Sequence, residues 1–119
     1  MSDEYVSDNA GEIVLCGASA YTQKFYLNES FKDLPLAIQD ELKIMCVLHT
    51  ADVGGIVKLV YDEDGTINMI SECDEEDILY DEIGAALKVK QARMDRSELF
   101  ESLELYYRVV FLGEQIDFE

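Results

Sequence analysis

Between Pro35 and Thr50 the chain places Leu36, Ile38, Leu42, Ile44, Met45, Cys46, Val47 and Leu48 in sixteen residues that hold no glycine. Such a run is too long for one strand and too short to cross a bilayer, so it reads as a helix, with Pro35 in its first turn and Asp33 just ahead as a cap. At about 100° per residue, Ile38, Leu42, Met45, Cys46 and His49 share one face. Ile44, Val47 and Leu48 lie on the other side, so the second half of the helix is apolar nearly all round and calls for cover on two sides. The expected architecture follows from that demand: a central helix with a sheet on one side and more helix on the other.

The flanking segments supply both. Glu12–Cys16 and Gln23–Leu27 read as strands joined through Gly17–Ala20, a single helical turn near Tyr21–Phe25 being the competing reading. Phe31 is placed to staple the start of the central helix. Gly54 and Gly55 turn the chain, after which Ile56–Tyr61 and Thr66–Cys73 form a hairpin around Asp62–Gly65. With Asp62 opposite Thr66, one face holds Val57, Leu59, Tyr61, Ile67 and Met69, which is assigned to the core. The other face mixes Ile56, Val60 and Ile70 with Lys58, Asn68 and Glu72.

Asp74–Asp77 should open the next helix, since acids suit the positive end of its dipole, with Leu79, Ile83, Ala86 and Leu87 as its buried stripe. Gly84 in that helix suggests close approach of another backbone. Asp95 and Glu98 have capping-box spacing for a last helix, which carries a stripe of Leu99, Phe100, Leu103, Tyr106, Tyr107 and Val110 and stops before Gly113. The predicted order is ββαββαα, a small two-layer α+β domain of antiparallel hairpins packed with three helices. Its bounds are 12–114, preceded by a mobile acidic leader at 1–11 and followed by a C-terminal tail at 115–119.

Three stretches, Asp40–Thr50 running on to Gly55, Leu79–Gly84 and Glu104–Glu114, resemble a family of short, acidic, functionally uncharacterised bacterial proteins, found mainly in anaerobic Gram-positive species. The similarity spans about residues 12–114. It implies a single compact domain and assigns no activity, cofactor or site residue.

Charge narrows the function. The chain has 26 acidic and 9 basic residues, a net charge of −17. Nucleic acid and anionic membranes are disfavoured as partners, because both need clustered Lys and Arg. No apolar run reaches the roughly eighteen residues of a membrane span, and the acidic start is unlike a signal peptide, so a cytoplasmic location is expected. Cys16, Cys46 and Cys73 are odd in number and lack zinc-type spacing, which reads as reduced thiols.

Chemistry-bearing patterns are few. Ten acids and no base lie between Asp62 and Glu82. Asp62 and Asp64 echo part of a calcium loop, but Val60 and Ser71 would fall at its first and twelfth positions, so a turn and a helix start explain the acids better. Cys46 and His49 stand one helical turn apart and would serve as a nucleophile and base or as two metal ligands, with no third group marked. No cofactor motif is present. The last helix carries Leu105, Val109 and Leu112 outside its core stripe, and with Ile56, Val60 and Ile70 these make the candidate interface. The reading with most support is therefore a non-enzymatic domain acting through protein contacts, most simply as a homodimer. The alternatives are a small-molecule enzyme or metal-binding protein using the Cys46/His49 region, and an acidic decoy of a basic, nucleic-acid-binding partner.

Overall fold

A computed structural model describes residues 12–113. The assigned leader, the tail and Glu114 lie outside the described residues. Four strands form one antiparallel sheet: β1 (Ile13–Ser19), β2 (Lys24–Leu27), β3 (Ile56–Tyr61) and β4 (Ile67–Glu72), in the spatial order β2-β1-β3-β4. Three helices follow the expected order: α1 (Leu36–Val53), α2 (Glu82–Asp95) and α3 (Ser97–Val110). The ββαββαα α+β domain is present as read from the sequence.

The core grows from the alternation of β3 and β4. Val57, Leu59, Tyr61, Ile67 and Met69 are all buried on the face that meets α1 and α3, as the register through Asp62 and Thr66 requires. Strand β1 runs further than expected, taking in Gly17, Ala18 and Ser19, and the turn shifts to Ala20–Gln23. A bulge between Val14 and Cys16 adds one residue to this strand, so that Leu15 and Cys16 are both fully buried. Gly17 sits close under its neighbours: a Cβ there would lie 3.0 Å from the Val57 carbonyl oxygen and 3.1 Å from the Tyr26 hydroxyl, so either would have to give by a few tenths of an ångström.

Phe31, held in a short 3₁₀ turn capped by the Asn28 side chain, joins an aromatic cluster. Its ring stacks on Tyr61 at 5.5 Å, Tyr61 stacks on Tyr107 at 4.3 Å, and Tyr107 stacks on Phe111 at 5.1 Å. Phe111 returns to Phe31 at 5.0 Å and closes the circle. The Tyr61 hydroxyl donates to the Leu103 carbonyl at 2.7 Å, tying α3 to the sheet.

Several expectations are corrected. Pro35, not Asp33, is the N-cap of α1, and it offers no side-chain acceptor. The second apolar side of α1 is not covered: Ile44 and Leu48 are each 54% exposed, and Val47 is exposed as well. Residues 74–80 form turns and not helix, so α2 begins after Asp81, whose carboxylate accepts from the Gly84 N–H at 2.8 Å. The tight neighbour of Gly84 is this capping carboxylate, 2.2 Å from an added Cβ, and not another backbone. Asp95 does not cap α3. It accepts from Gln91 within α2, and the two helices are separated by Arg96 alone, which has no side-chain capping bond. Val110, assigned to the core stripe of α3, is exposed.

Gly55 is the glycine on which the middle of the fold depends. Its φ is +71°, and a Cβ would lie 2.3 Å from the Glu72 carbonyl oxygen and 2.8 Å from the Tyr80 ring. Gly55→Ala should therefore cost roughly 2–4 kcal/mol of unfolding free energy, from backbone strain and overpacking together. Urea denaturation reads this directly, and Gly54→Ala, which meets no atom within 4 Å at a similar φ, should cost less.

Candidate functional site

The two residues singled out for chemistry on α1 part company in the fold. Cys46 is fully buried and turns to Cys16 across the gap between helix and sheet. A hydrogen bond with Cys46, together with burial, pushes the Cys16 thiol well above the usual range. Both are free thiols, as is the exposed Cys73. His49 instead reaches β4, where its Nε2 lies 2.8 Å from Ser71 Oγ, which lies 2.8 Å from the Tyr80 hydroxyl. Helix, strand and loop are thereby joined by a polar relay. Burial lowers the His49 pKa and the nearby Lys88 charge lowers it further, while Asp52 opposes both. The neutral imidazole is the form this site holds.

A serine hydrogen-bonded to a histidine has the first pairing of a nucleophile and its base. The rest of that machinery is not assembled around it. Among the described residues no carboxylate hydrogen-bonds to the His49 ring, and the Asp52 carboxylate is engaged by Lys88 at 2.7 Å. Nor do any three His, Cys, Asp or Glu side chains among the described residues come together where a metal ion could be held. Asp62 and Asp64 spend their oxygens within their own turn, accepting from the N–H groups of Asp64 and Thr66. The relay is a half-buried latch between α1, β4 and the chain leading into α2.

That chain carries the most unusual surface of the molecule. Ile78 is 93% exposed, Leu79 89%, Ile83 77%, and Leu87 and Met94 64% each. The stripe expected to enter the core, Leu79, Ile83, Ala86 and Leu87, faces outward. The core side of α2 is made of Ala85, which is buried, and of Val89 and Ala92, which are partly so. These recur at i, i+4 and i+7, as a helix face must. Small residues there let α2 lie close to α1, and polar contacts hold it: Lys88 with Asp52, Arg96 with Glu41 at 2.9 Å, and Arg93 donating to the Ile67 carbonyl at 2.9 Å while lying 4.8 Å over the Phe100 ring. Beside the stripe a groove of about 350 Å³ runs between the two helices, lined by Met45, Leu48, His49, Leu87 and Gln91 among others. The exposed Leu48 of α1 and Leu87 of α2 stand on its two sides, with Lys88, Asp95 and Arg96 also in its lining.

The interface read from the sequence is divided by the fold. Leu105 and Leu112 are exposed and Val109 is half-buried on the outer side of α3. Ile56, Val60 and Ile70 alternate with the core residues of β3 and β4 and so lie on the opposite face of the sheet. Ile70 is exposed and Ile56 half-buried, beside the Lys58–Glu72 ion pair of 3.0 Å. Val60 is paired with Val14 and is only 5% exposed, so it is not open to a partner. The α2 stripe is legible as an apolar periodicity, and the fold turns it outward where the sequence predicts it inward. The competing signal was the second, smaller stripe of Ala85, Val89 and Ala92.

Residues 12–115 match a family of unknown function, DUF6145. The chain belongs to that family. A comparison with curated proteins finds no match, and neither does one with solved structures. Among the described residues no helix is long and apolar enough to cross a membrane.

Two outcomes follow for this DUF6145 chain. Because the folded state lowers the His49 pKa, the unfolded state binds the extra proton first, and stability is lost as pH falls below about 6.5. The difference in unfolding free energy between wild type and His49→Gln should shrink across that window, and a difference constant from pH 8 to about 5 counts against the neutral latch. A thiol reagent should label Cys73 in the folded protein, slowly, since partial desolvation and the carboxylates of Asp77, Glu82 and Asp74 push that thiol up. Cys16 and Cys46 should label only on unfolding; fast native labelling of Cys46 contradicts this.

Proposed function

We propose that this protein is a non-enzymatic contact domain of the bacterial cytoplasm, and that it works as a homodimer joined through α2. The observation that carries the reading is the outward apolar stripe of Ile78, Leu79, Ile83, Leu87 and Met94. Burying a side chain of this kind is worth on the order of 1.5–3 kcal/mol, so five in one stripe favour a partner over water. The three free thiols and the resemblance to short bacterial proteins support the setting.

The choice of a second copy rests on charge. Residues 72–82 hold seven acids and no base, whereas residues 83–96 hold four bases, Lys88, Lys90, Arg93 and Arg96, against Asp95 alone. One element is therefore acidic at its start and basic toward its end, with the apolar stripe running along it. Lys88, Arg93 and Arg96 are engaged by their own domain, so a two-fold axis through the middle of the stripe, pairing α2 with its copy in antiparallel fashion, sets each acidic start beside the other's Lys90. Lys90 falls on the stripe itself, between Leu87 and Met94, and has no ion pair among the described residues. In the antiparallel pair it stands near Glu82 of the second copy. Such complementarity offsets locally the repulsion between two chains of net charge −17.

Light scattering tests the reading at physiological salt, where long-range repulsion is screened beyond about 8 Å. Wild type should be dimeric at micromolar concentration, and Leu87→Glu should be a folded monomer by circular dichroism and scattering. Lys90→Glu should weaken the dimer, and adding Glu82→Lys should restore it. A wild type that stays monomeric at high concentration sinks the proposal, as does a Leu87→Glu dimer.

A further inference from the structure

Helices α1 and α2 run antiparallel, as their two ion pairs require: Lys88 meets Asp52 near one end, and Arg96 meets Glu41 near the other. Between the pairs lies the groove of about 350 Å³. Met45 and Met69, both nearly buried, are its apolar floor, and the exposed Leu48 and Leu87 are its walls. Methionine side chains are unbranched and adapt to the shape they meet. The charged groups of the lining are already engaged: Lys88 by Asp52, Arg96 by Glu41, and Asp95 by the Gln91 amide at 2.7 Å.

One polar group of the lining is only half engaged. His49 is 3% exposed, and Ser71 occupies its Nε2 alone. Nδ1 has no hydrogen-bond partner among the described residues, yet no fully buried side-chain nitrogen or oxygen among them lacks one. Nδ1 therefore touches open space, and the groove is the space that His49 lines. The relay behind the ring decides what Nδ1 carries. A phenol donates more readily than an aliphatic alcohol, and among the described residues Tyr80 has no acceptor but Ser71. Tyr80 then donates to Ser71 and Ser71 to Nε2, which leaves the one ring proton of the neutral imidazole on Nδ1. A hydrogen-bond donor thus stands in an apolar groove whose charges are satisfied, in a space of the size that small ligands occupy. We infer that the α1–α2 groove binds a small uncharged molecule with a carbonyl on a compact apolar body, its oxygen accepting from His49 Nδ1 and its body lying between Leu48 and Leu87. A hydrocarbon would leave the donor without an acceptor, and an anion would find each cation of the lining already paired.

The site is independent of the α2 contact. Leu87 borders both, and Lys90, which lies on the stripe and not in the groove, tells them apart. The chain has one histidine, so ¹⁵N-histidine labelling of the full-length protein reads His49 alone. At about pH 8, where imidazole is neutral, two-bond ¹H–¹⁵N spectra should place the ring proton on Nδ1. Acetophenone should move the Nδ1 resonance saturably, together with the backbone amides of Leu48, Leu87 and Gln91. Ethylbenzene, of the same outline but with no acceptor, and benzoate, which adds a charge, should each bind about fivefold more weakly or worse. His49→Phe keeps a ring in place and should lose the preference for acetophenone over ethylbenzene. Leu48→Ser, at an exposed position, should weaken both probes, and Lys90→Glu should leave acetophenone binding unchanged. A ring proton found on Nε2 overturns the inference, as does the absence of saturable shifts. Equal binding by ethylbenzene, tighter binding by benzoate, unchanged binding in Leu48→Ser, a preference kept in His49→Phe or binding lost in Lys90→Glu each overturn it as well.

Discussion

The buried hydroxyl of Tyr61 is the constraint on which the assembly of this domain depends. A phenol removed from water must find an acceptor or lose on the order of 1–3 kcal/mol. Tyr61 finds it in the Leu103 carbonyl, halfway along α3, and that bond fixes how far the helix slides along the sheet. The rings do the rest: Tyr107, one turn on from Leu103, stacks on Tyr61, and Phe31 arrives from the connector before α1 to stack on it as well. Segments from three distant parts of the sequence are thereby registered on a single side chain of β3. Burial pushes the Tyr61 pKa far up, so the hydroxyl stays a donor at any physiological pH.

Helix α2 is held by a different principle. It reaches the domain with one alanine buried and two apolar neighbours half-buried, and its remaining attachment is polar: a cation–π contact, a hydrogen bond to a strand carbonyl, and two ion pairs. Ion pairs at partly exposed positions are worth little each. A helix fastened in this way is oriented rather than deeply anchored, with its large side chains left over. That is the arrangement expected of an element whose apolar side is completed by something other than its own core.

How much of this could be read from the sequence depended on whether one physical signal stood alone. The register of β3 and β4 was legible because alternation in Val57–Tyr61 and the turn at Asp62–Gly65 agree. The central helix was legible because its apolar run admits no other structure. Its exposure was not, since burial depends on whether a neighbour is there, and no local pattern reports that for Ile44 or Leu48. In α2 two stripes compete, and the larger side chains suggested the wrong one; close packing against α1 selects Ala85 and Ala92 because they are small. The acids at Asp74–Asp77 suited a helix start, yet Asp77 accepts from the Tyr21 hydroxyl at 2.5 Å and Asp74 donates its N–H to the same oxygen at 3.0 Å. A single tyrosine in the first hairpin thus holds the acidic segment outside the helix. The pairing of His49 with Ser71 and Tyr80 is a tertiary contact with no sequence signature; spacing suggested Cys46 instead.

Charge shows most plainly why a whole-chain quantity misleads about a local surface. A net charge of −17 suggests a molecule that repels every anion and every copy of itself. Screening limits that conclusion, because at physiological salt a charge is felt over about 8 Å, less than the 21 Å or so that a fourteen-residue helix spans. What a surface attracts is therefore set by its nearest side chains. The fold sorts those side chains: acids gather from Asp62 to Glu82, and the bases of α2 follow in its second half. A domain that is acidic in sum can still carry a helix whose first turn is acidic and whose second half is basic.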